Sequence, residues 1–328
     1  MTSFSPTDAQ GITFVLPLVH PEGAKVENYA VVEMILRETL TSLTAQHGPR
    51  PHVVVVCHQA PDWVGDFADH VTFLVIPEHS GFAAGRNHVQ IDKGMKYVLG
   101  TWVALMEPAP DWIMLMDGDD FVHRDLLAHL QGQELADDGF LLAGGYHAAL
   151  RPAPTGFQLE AALKVNTFND TCGSCRVFRA STLKDRIAAF QPALAALTPD
   201  QLADDQGVLD KGFVDLVVAA TDPLRDDQSG LIRVLGRHVR QKDHFNFTRV
   251  TEALVAKGCG HGNHDGPKAG EIHWHKVTAV TAPGQFLRDF GLAGRPTLQP
   301  RLKWQYQVMG SLQSLRRVAG RLKRAITG

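Results

Sequence analysis

The sequence predicts an α/β protein built on a doubly wound mixed sheet, and two observations carry that prediction. Four short apolar, β-branched runs recur through the first 127 residues: ITFVLPLV (12–19), HVVVVCH (52–58), VTFLVIP (71–77) and WIMLM (112–116). Runs apolar on both faces are what interior parallel strands require. Between them lie two stretches of helical period, which give the order strand, helix, strand, strand, helix, strand. A chain of 328 residues, 44% hydrophobic and 20% charged, has ample material for such a core.

Each element has its own warrant. From Ala24 to Gln46, the residues Tyr29, Val32, Leu36, Leu40 and Leu43 recur at helical spacing. A second helix is expected to begin near Ala83, because Ile91, Met95, Val98, Trp102 and Leu105 repeat at three and four. Beyond Leu127, FLLAGGYHAAL (140–150) reads as a strand, RPAPTG (151–156) as a loop, and CRVFRAS (175–181) as a strand leading into a helix. LTPDQLADDQGVLDKGF (197–213) reads as one helix with a proline near its first turn.

Composition excludes several function classes. No apolar run approaches the roughly 20 residues that span a bilayer, and MTSFSPTDAQG has neither a basic nor an apolar leader segment, so the chain is expected in the cytoplasm. Four cysteines are too few for a disulfide scaffold and fit a reducing compartment. The net charge of −3 is uneven, since residues 290–328 carry eight Lys and Arg and no acid. An acidic body with a basic end argues against nucleic acid as the partner.

The stretch DWIMLMDGDDFVHRDLL (111–127) ends a buried strand in three acids. In an extended chain Asp117 and Asp119 share a face while Asp120 points away. Two carboxylates on one side of a strand tip can hold a hard divalent cation, Mn²⁺ or Mg²⁺, and leave room for diphosphate oxygens. Sheets of this class bind ligands beyond the carboxyl ends of their strands, where this tip lies.

Taken in order, FVLPLVHPEG (14–23), SGFAAGRNHVQIDKG (80–94) and WIMLMDGDDFVHRDLL (112–127) resemble successive elements of family 2 glycosyltransferases of the glycosyltransferase A fold. The resemblance covers about the first 125 residues well and the region to about residue 250 weakly. It implies a metal-dependent, inverting transfer of one sugar from a nucleotide-sugar, expected to be a UDP-sugar, to a hydroxyl of a glycan or lipid-linked acceptor. Asp117 would meet the ribose or the metal, Asp119 would ligate the metal, and Pro17, His20 and Arg86 would lie at the donor. Arg86 at a helix start also suits an anion on physical grounds. Such enzymes place a general base about ninety residues past the metal acids, where ADDQGVLDKG offers Asp205 first and Asp204 second. The resemblance also implies a late metal-binding His, for which His244 is the first choice, with His264, His273 and His275 as rivals. The second strand departs from the family by ending Cys57, His58, Gln59, Ala60, Pro61, and the processive Gln-x-x-Arg-Trp element is missing.

On this reading residues 1–127 form the nucleotide-sugar half, residues 128–289 the acceptor and catalytic half, and residues 290–328 a basic amphipathic helical extension that could lie on an anionic membrane at its inner face. Two other classes compete. GDD at 118–120 with GNHD at 262–265 is similar to elements of dinuclear metallophosphoesterases, although their first strand ends Asp-x-His and this one does not. A non-catalytic nucleotide-binding module is the other. Cys172, Cys175, Cys259, His261 and His264 supply enough soft ligands for a structural zinc.

Overall fold

The computed structural model describes residues 11–23, 26–77, 86–106, 110–131, 133, 138–154, 156–190, 192–221, 245–259 and 277–296. The expected doubly wound core is there: β1 (Ile12–Pro17), α1 (Tyr29–Thr44), β2 (His52–Cys57), β3 (Val71–Val75), α2 (Arg86–Ala104) and β4 (Trp112–Leu115). The four strands are parallel in the order β3-β2-β1-β4. That order reverses between β1 and β4, and sheets of this kind bind their ligands at the carboxyl ends beside such a reversal.

Alternation along the strands explains both layers. Phe14, Leu16, Val53, Val55 and Met114 pack with Leu36, Leu40 and Leu43 of α1. Val15, Val54, Val56, Ile113 and Leu115 pack with Met95, Val98, Leu99 and Trp102 of α2. Helix α1 starts five residues after the predicted Ala24 because Asn28 caps it, its side chain accepting the Ala30 N–H at 3.0 Å. Helix α2 sits unusually close to the sheet at Gly100, where a Cβ would lie 2.6 Å from Val15 Cγ1 and 2.8 Å from Val56 Cγ2.

The second half makes the sheet mixed. After β4 come β5 (Asp120–Val122), α3 (Leu126–Gln131), β6 (Gly139–Ala153), β7 (Gly156–Val165), β8 (Arg176–Arg179), α4 (Ala180–Phe190), α5 (Pro192–Ala195), α6 (Lys211–Thr221), β9 (Phe247–Cys259), β10 (Val277–Thr281), α7 (Pro283–Asp289) and β11 (Arg295–Pro296). Strand β8 runs antiparallel to β4, and β6 takes β7 and β8 antiparallel and β9 parallel. Strand β5 joins β9 antiparallel, tying the acidic segment to the second half.

Two expectations are corrected here. The predicted loop at 151–156 is the end of β6 and a tight hairpin into β7, with Ala153 paired to Gly156. The proline at 152 is tolerated because β9 pairs β6 only as far as Ala149, which leaves Pro152 without a ladder bond to supply on that side. The predicted single helix at 197–213 is instead a 3₁₀ turn (Pro199–Gln201) capped by Thr198, a reversal at 204–207, and α6. Gly207, at φ +80°, breaks the helical path there. The C-terminal extension at 297–328, His244, and the GNHD segment with its neighbouring histidines lie outside the described residues.

Candidate functional site

Strand β4 stops at Leu115, so the alternation that would turn Asp120 away from Asp117 and Asp119 does not apply. Residues 117–120 form a turn closed by the Asp120 N–H donating to the Asp117 carbonyl at 3.1 Å. The turn gathers one carboxylate oxygen from each of Asp117, Asp119 and Asp120 within 4.8 Å of one another. Strand β9 clamps it: the Gly258 N–H donates to the Asp119 carbonyl at 3.1 Å and to Asp120 Oδ1 at 3.3 Å. Only glycine fits, because a Cβ at Gly258 would stand 2.2 Å from the Asp119 carbonyl oxygen.

The three acids are not equivalent. Asp117 accepts the Tyr97 hydroxyl at 2.7 Å and forms an ion pair with Lys93, both from α2, while its N–H donates to Ser174 Oγ at 2.9 Å. Burial works to raise the Asp117 carboxyl, but Lys93 and the Tyr97 hydroxyl hold it below the usual range. Asp120 is buried and accepts the Cys172 thiol at 3.0 Å. Burial, then Asp119 and Asp117, push it up to about 8. The turn is therefore crowded with like charge, and a cation there relieves the crowding.

The remaining predicted residues fall along the same edge or outside it. Pro17 ends β1 opposite Val56, and the His20 ring lies 4.5 Å from that of His58, centroid to centroid. Arg86 is the first residue of α2. Asp205 is exposed in the 204–207 reversal, which is hydrogen-bonded to the end of β3 through Val75. Asp204 is structural, its Oδ1 accepting the Gln206 and Val208 N–H groups at 2.9 Å each. Asp205 thus shares the carboxyl edge with the acidic turn but is not part of it; β3 and β4 are three strand steps apart, roughly 14 Å at ordinary spacing.

Among the described residues, the only cluster suited to a metal ion is that of Asp117, Asp119 and Asp120. Cys172, Cys175 and Cys259 are buried free thiols.

Sequence reasoning missed Lys93, Tyr97, Ser174 and a buried network behind them. Lys96 is fully buried and donates to the Leu18 carbonyl and to Asp92 Oδ2, each at 2.7 Å. His58 Nε2 lies 2.9 Å from Asp92 Oδ1. The available signal was polar residues at 92 and 96, one helical turn apart, on the side of α2 that carries Met95 and Leu99.

No family model matches the chain, and no curated protein matches it. Solved structures do. Residues 1–349 of S. aureus TarS are 15% identical over 76% of this chain and 60% of that one, with a TM-score of 0.36. A longer S. aureus TarS structure is 13% identical over 76% of this chain and 37% of that one, TM-score 0.34. The glycosyltransferase GlyE of Streptococcus pneumoniae TIGR4 is 8% identical over 87% of this chain and 61% of that one, TM-score 0.35. The chain spans less than two thirds of each.

Proposed function

We propose that the chain is a metal-dependent glycosyltransferase resembling family 2 enzymes, moving one sugar from a nucleotide-sugar to a hydroxyl acceptor with inversion. The observation that carries the reading is the three-carboxylate turn at the end of β4, beside the point where the strand order reverses. Carboxylate oxygens suit Mn²⁺ or Mg²⁺, and Asp119 with Asp117 would hold it. Such an ion supplies electrostatic stabilisation to a departing nucleoside diphosphate.

The chain's own residues do the rest. Lys93 and Tyr97 fix Asp117, and Gly258 fixes the Asp119 backbone, so the acids need no rearrangement when the diphosphate arrives. Asp205, exposed on the same edge, takes the proton from the acceptor hydroxyl as it attacks the anomeric carbon. His244 is the late histidine assigned to the metal on the sequence alone.

Calorimetry of nucleoside diphosphates with Mn²⁺ and with EDTA tests this. Binding is expected to require the metal and to be lost in Asp119→Ala, with the fold intact by circular dichroism. Equal, metal-independent affinity in both proteins would overturn the site. Rapid release of nitrophenol from p-nitrophenyl phosphate without any sugar donor would replace transfer by phosphoester hydrolysis.

A further inference from the structure

One turn of α2 serves two places at once. Lys93 and Tyr97 hold Asp117 at the end of β4, while Asp92 and Lys96, on the adjoining face of the same turn, hold His58 just past the end of β2. Strand β1 lies between the two, so the His58 ring and the acidic turn are about two strand spacings apart, roughly 10 Å, along one carboxyl edge. In a nucleoside diphosphate a ribose and one phosphate separate the nucleobase from the metal-bound terminal phosphate. The edge therefore offers a nucleotide a metal site at one end and an imidazole at the other.

The hydrogen bonding of that imidazole is fixed. Burial works to raise the Asp92 carboxyl, but His58 and Lys96 hold it below the usual range; ionised, it can only accept, so its Oδ1 accepts from His58 Nε2 while Oδ2 accepts from Lys96. A neutral ring that donates from Nε2 presents a lone pair at Nδ1. The His58 side chain is 7% exposed, and its Nδ1 has no hydrogen-bond partner among the described residues. Burial first, and then Lys96 and His20, hold the ring below the ordinary histidine range against the pull of Asp92, which keeps it neutral at pH 7. A buried Lys–Asp pair is costly to keep, and here its arrangement sets a single tautomer on a nearly buried ring with one unused acceptor.

The geometry points to His58 as the nucleobase reader of this site, accepting through Nδ1 the ring N–H of uracil, thymine or guanine and rejecting cytosine and adenine, whose corresponding ring nitrogens are acceptors. This rests on the nucleotide-sugar reading and names its donor class. Asp92 and Lys96 are positioning residues that act through the ring.

The test is calorimetry of UDP, GDP, CDP and ADP with Mn²⁺ on the full chain, its Asp92→Asn and His58→Phe variants. The wild type is expected to bind UDP or GDP on the order of ten- to a hundredfold tighter than CDP and ADP, the usual cost of facing a buried acceptor with another acceptor. In Asp92→Asn, Lys96 keeps the amide oxygen and the amide NH₂ faces Nε2, which moves the ring proton to Nδ1. The preference should then invert toward CDP or ADP. Should that variant fail to fold, His58→Phe decides, and it should bind the four within a few-fold of one another. Four equal affinities in the wild type overturn the assignment of His58 while leaving the donor reading intact, as does a preference unchanged in both variants. No binding of any diphosphate overturns both.

Discussion

Asp120 carries a conflict that solution measurements can read. Its carboxyl is pushed from an ordinary 3.8 to about 8 by burial and by Asp119 and Asp117, so the folded state binds that proton more tightly than the unfolded chain does. The stability this confers is complete below the unfolded value and is lost as pH rises to about 8. In EDTA, Asp120→Asn, which keeps an oxygen for the Gly258 N–H and turns its NH₂ toward the Cys172 sulfur, should therefore gain thermal stability over the wild type as pH rises from 4 to 8. The Tm difference should grow by a few degrees across that window; a difference that stays flat would mean Asp120 is ionised in the folded protein. The two acids of the 204–207 reversal separate in the same way. Asp205→Asn should leave diphosphate binding unchanged and lower turnover by about two to four orders of magnitude. Asp204→Ala, which strips the acceptor from two backbone N–H groups, should instead lower the Tm. The acidic residues were legible from their place after an apolar strand, whereas the convergence of Asp120 with the others was not, because it depends on where β4 ends.

At the scale of elements, positions in the site are set by close backbone approach rather than by the side chains that do chemistry. Gly258 is the sharper case. A methyl there meets the Asp119 carbonyl at 2.2 Å, so Gly258→Ala must part β9 from the acidic turn. Displacements of about 1 Å can cost on the order of a hundredfold in a positioned site. The variant should stay folded and lose most of its Mn²⁺-dependent diphosphate affinity; unchanged affinity would show that the turn does not need β9. Gly100→Ala pushes α2 off Val15 and Val56 and should cost about 1–3 kcal/mol by overpacking. The first-half elements were readable because each strand is apolar on both faces and each helix has a plain stripe, as with Leu36, Leu40 and Leu43. In the second half β6 and β8 were readable in the same way, but β7 and β9 were not, since they mix charge into their strands, with Glu160 and Lys164 in one and Arg249, Glu252 and Lys257 in the other. Their pairing comes from β6, a neighbour no local pattern announces.

At the scale of the whole molecule, the charge distribution is the feature still without a task. Eight Lys and Arg and no acid fall in residues 290–328, while the chain's 35 acids all precede them. Among the described residues no helix is long and apolar enough to cross a membrane. Within the tail, Val308, Leu312, Leu315, Val318, Leu322 and Ile326 recur at three and four, interleaved with Arg316, Arg317, Arg321, Lys323 and Arg324 and preceded by Trp304 and Tyr306. If that segment is helical, its apolar stripe must be covered, either by the catalytic body or by acyl chains. Charge alone does not decide: each basic residue near anionic lipid contributes on the order of 1 kcal/mol, while the acidic body attracts the same basic face. With the stripe on lipid, the acidic body would face away from the bilayer while the tail holds it within reach of a lipid-linked acceptor. Flotation separates the two coverings. The full chain should rise with phosphatidylserine-containing vesicles at low salt, stay down with phosphatidylcholine alone, and lose its binding as salt screens the tail. A chain ending at Leu298 that floats equally well would place the lipid contact elsewhere. A full chain that never floats would mean that the stripe packs against protein and the basic residues are merely solvated.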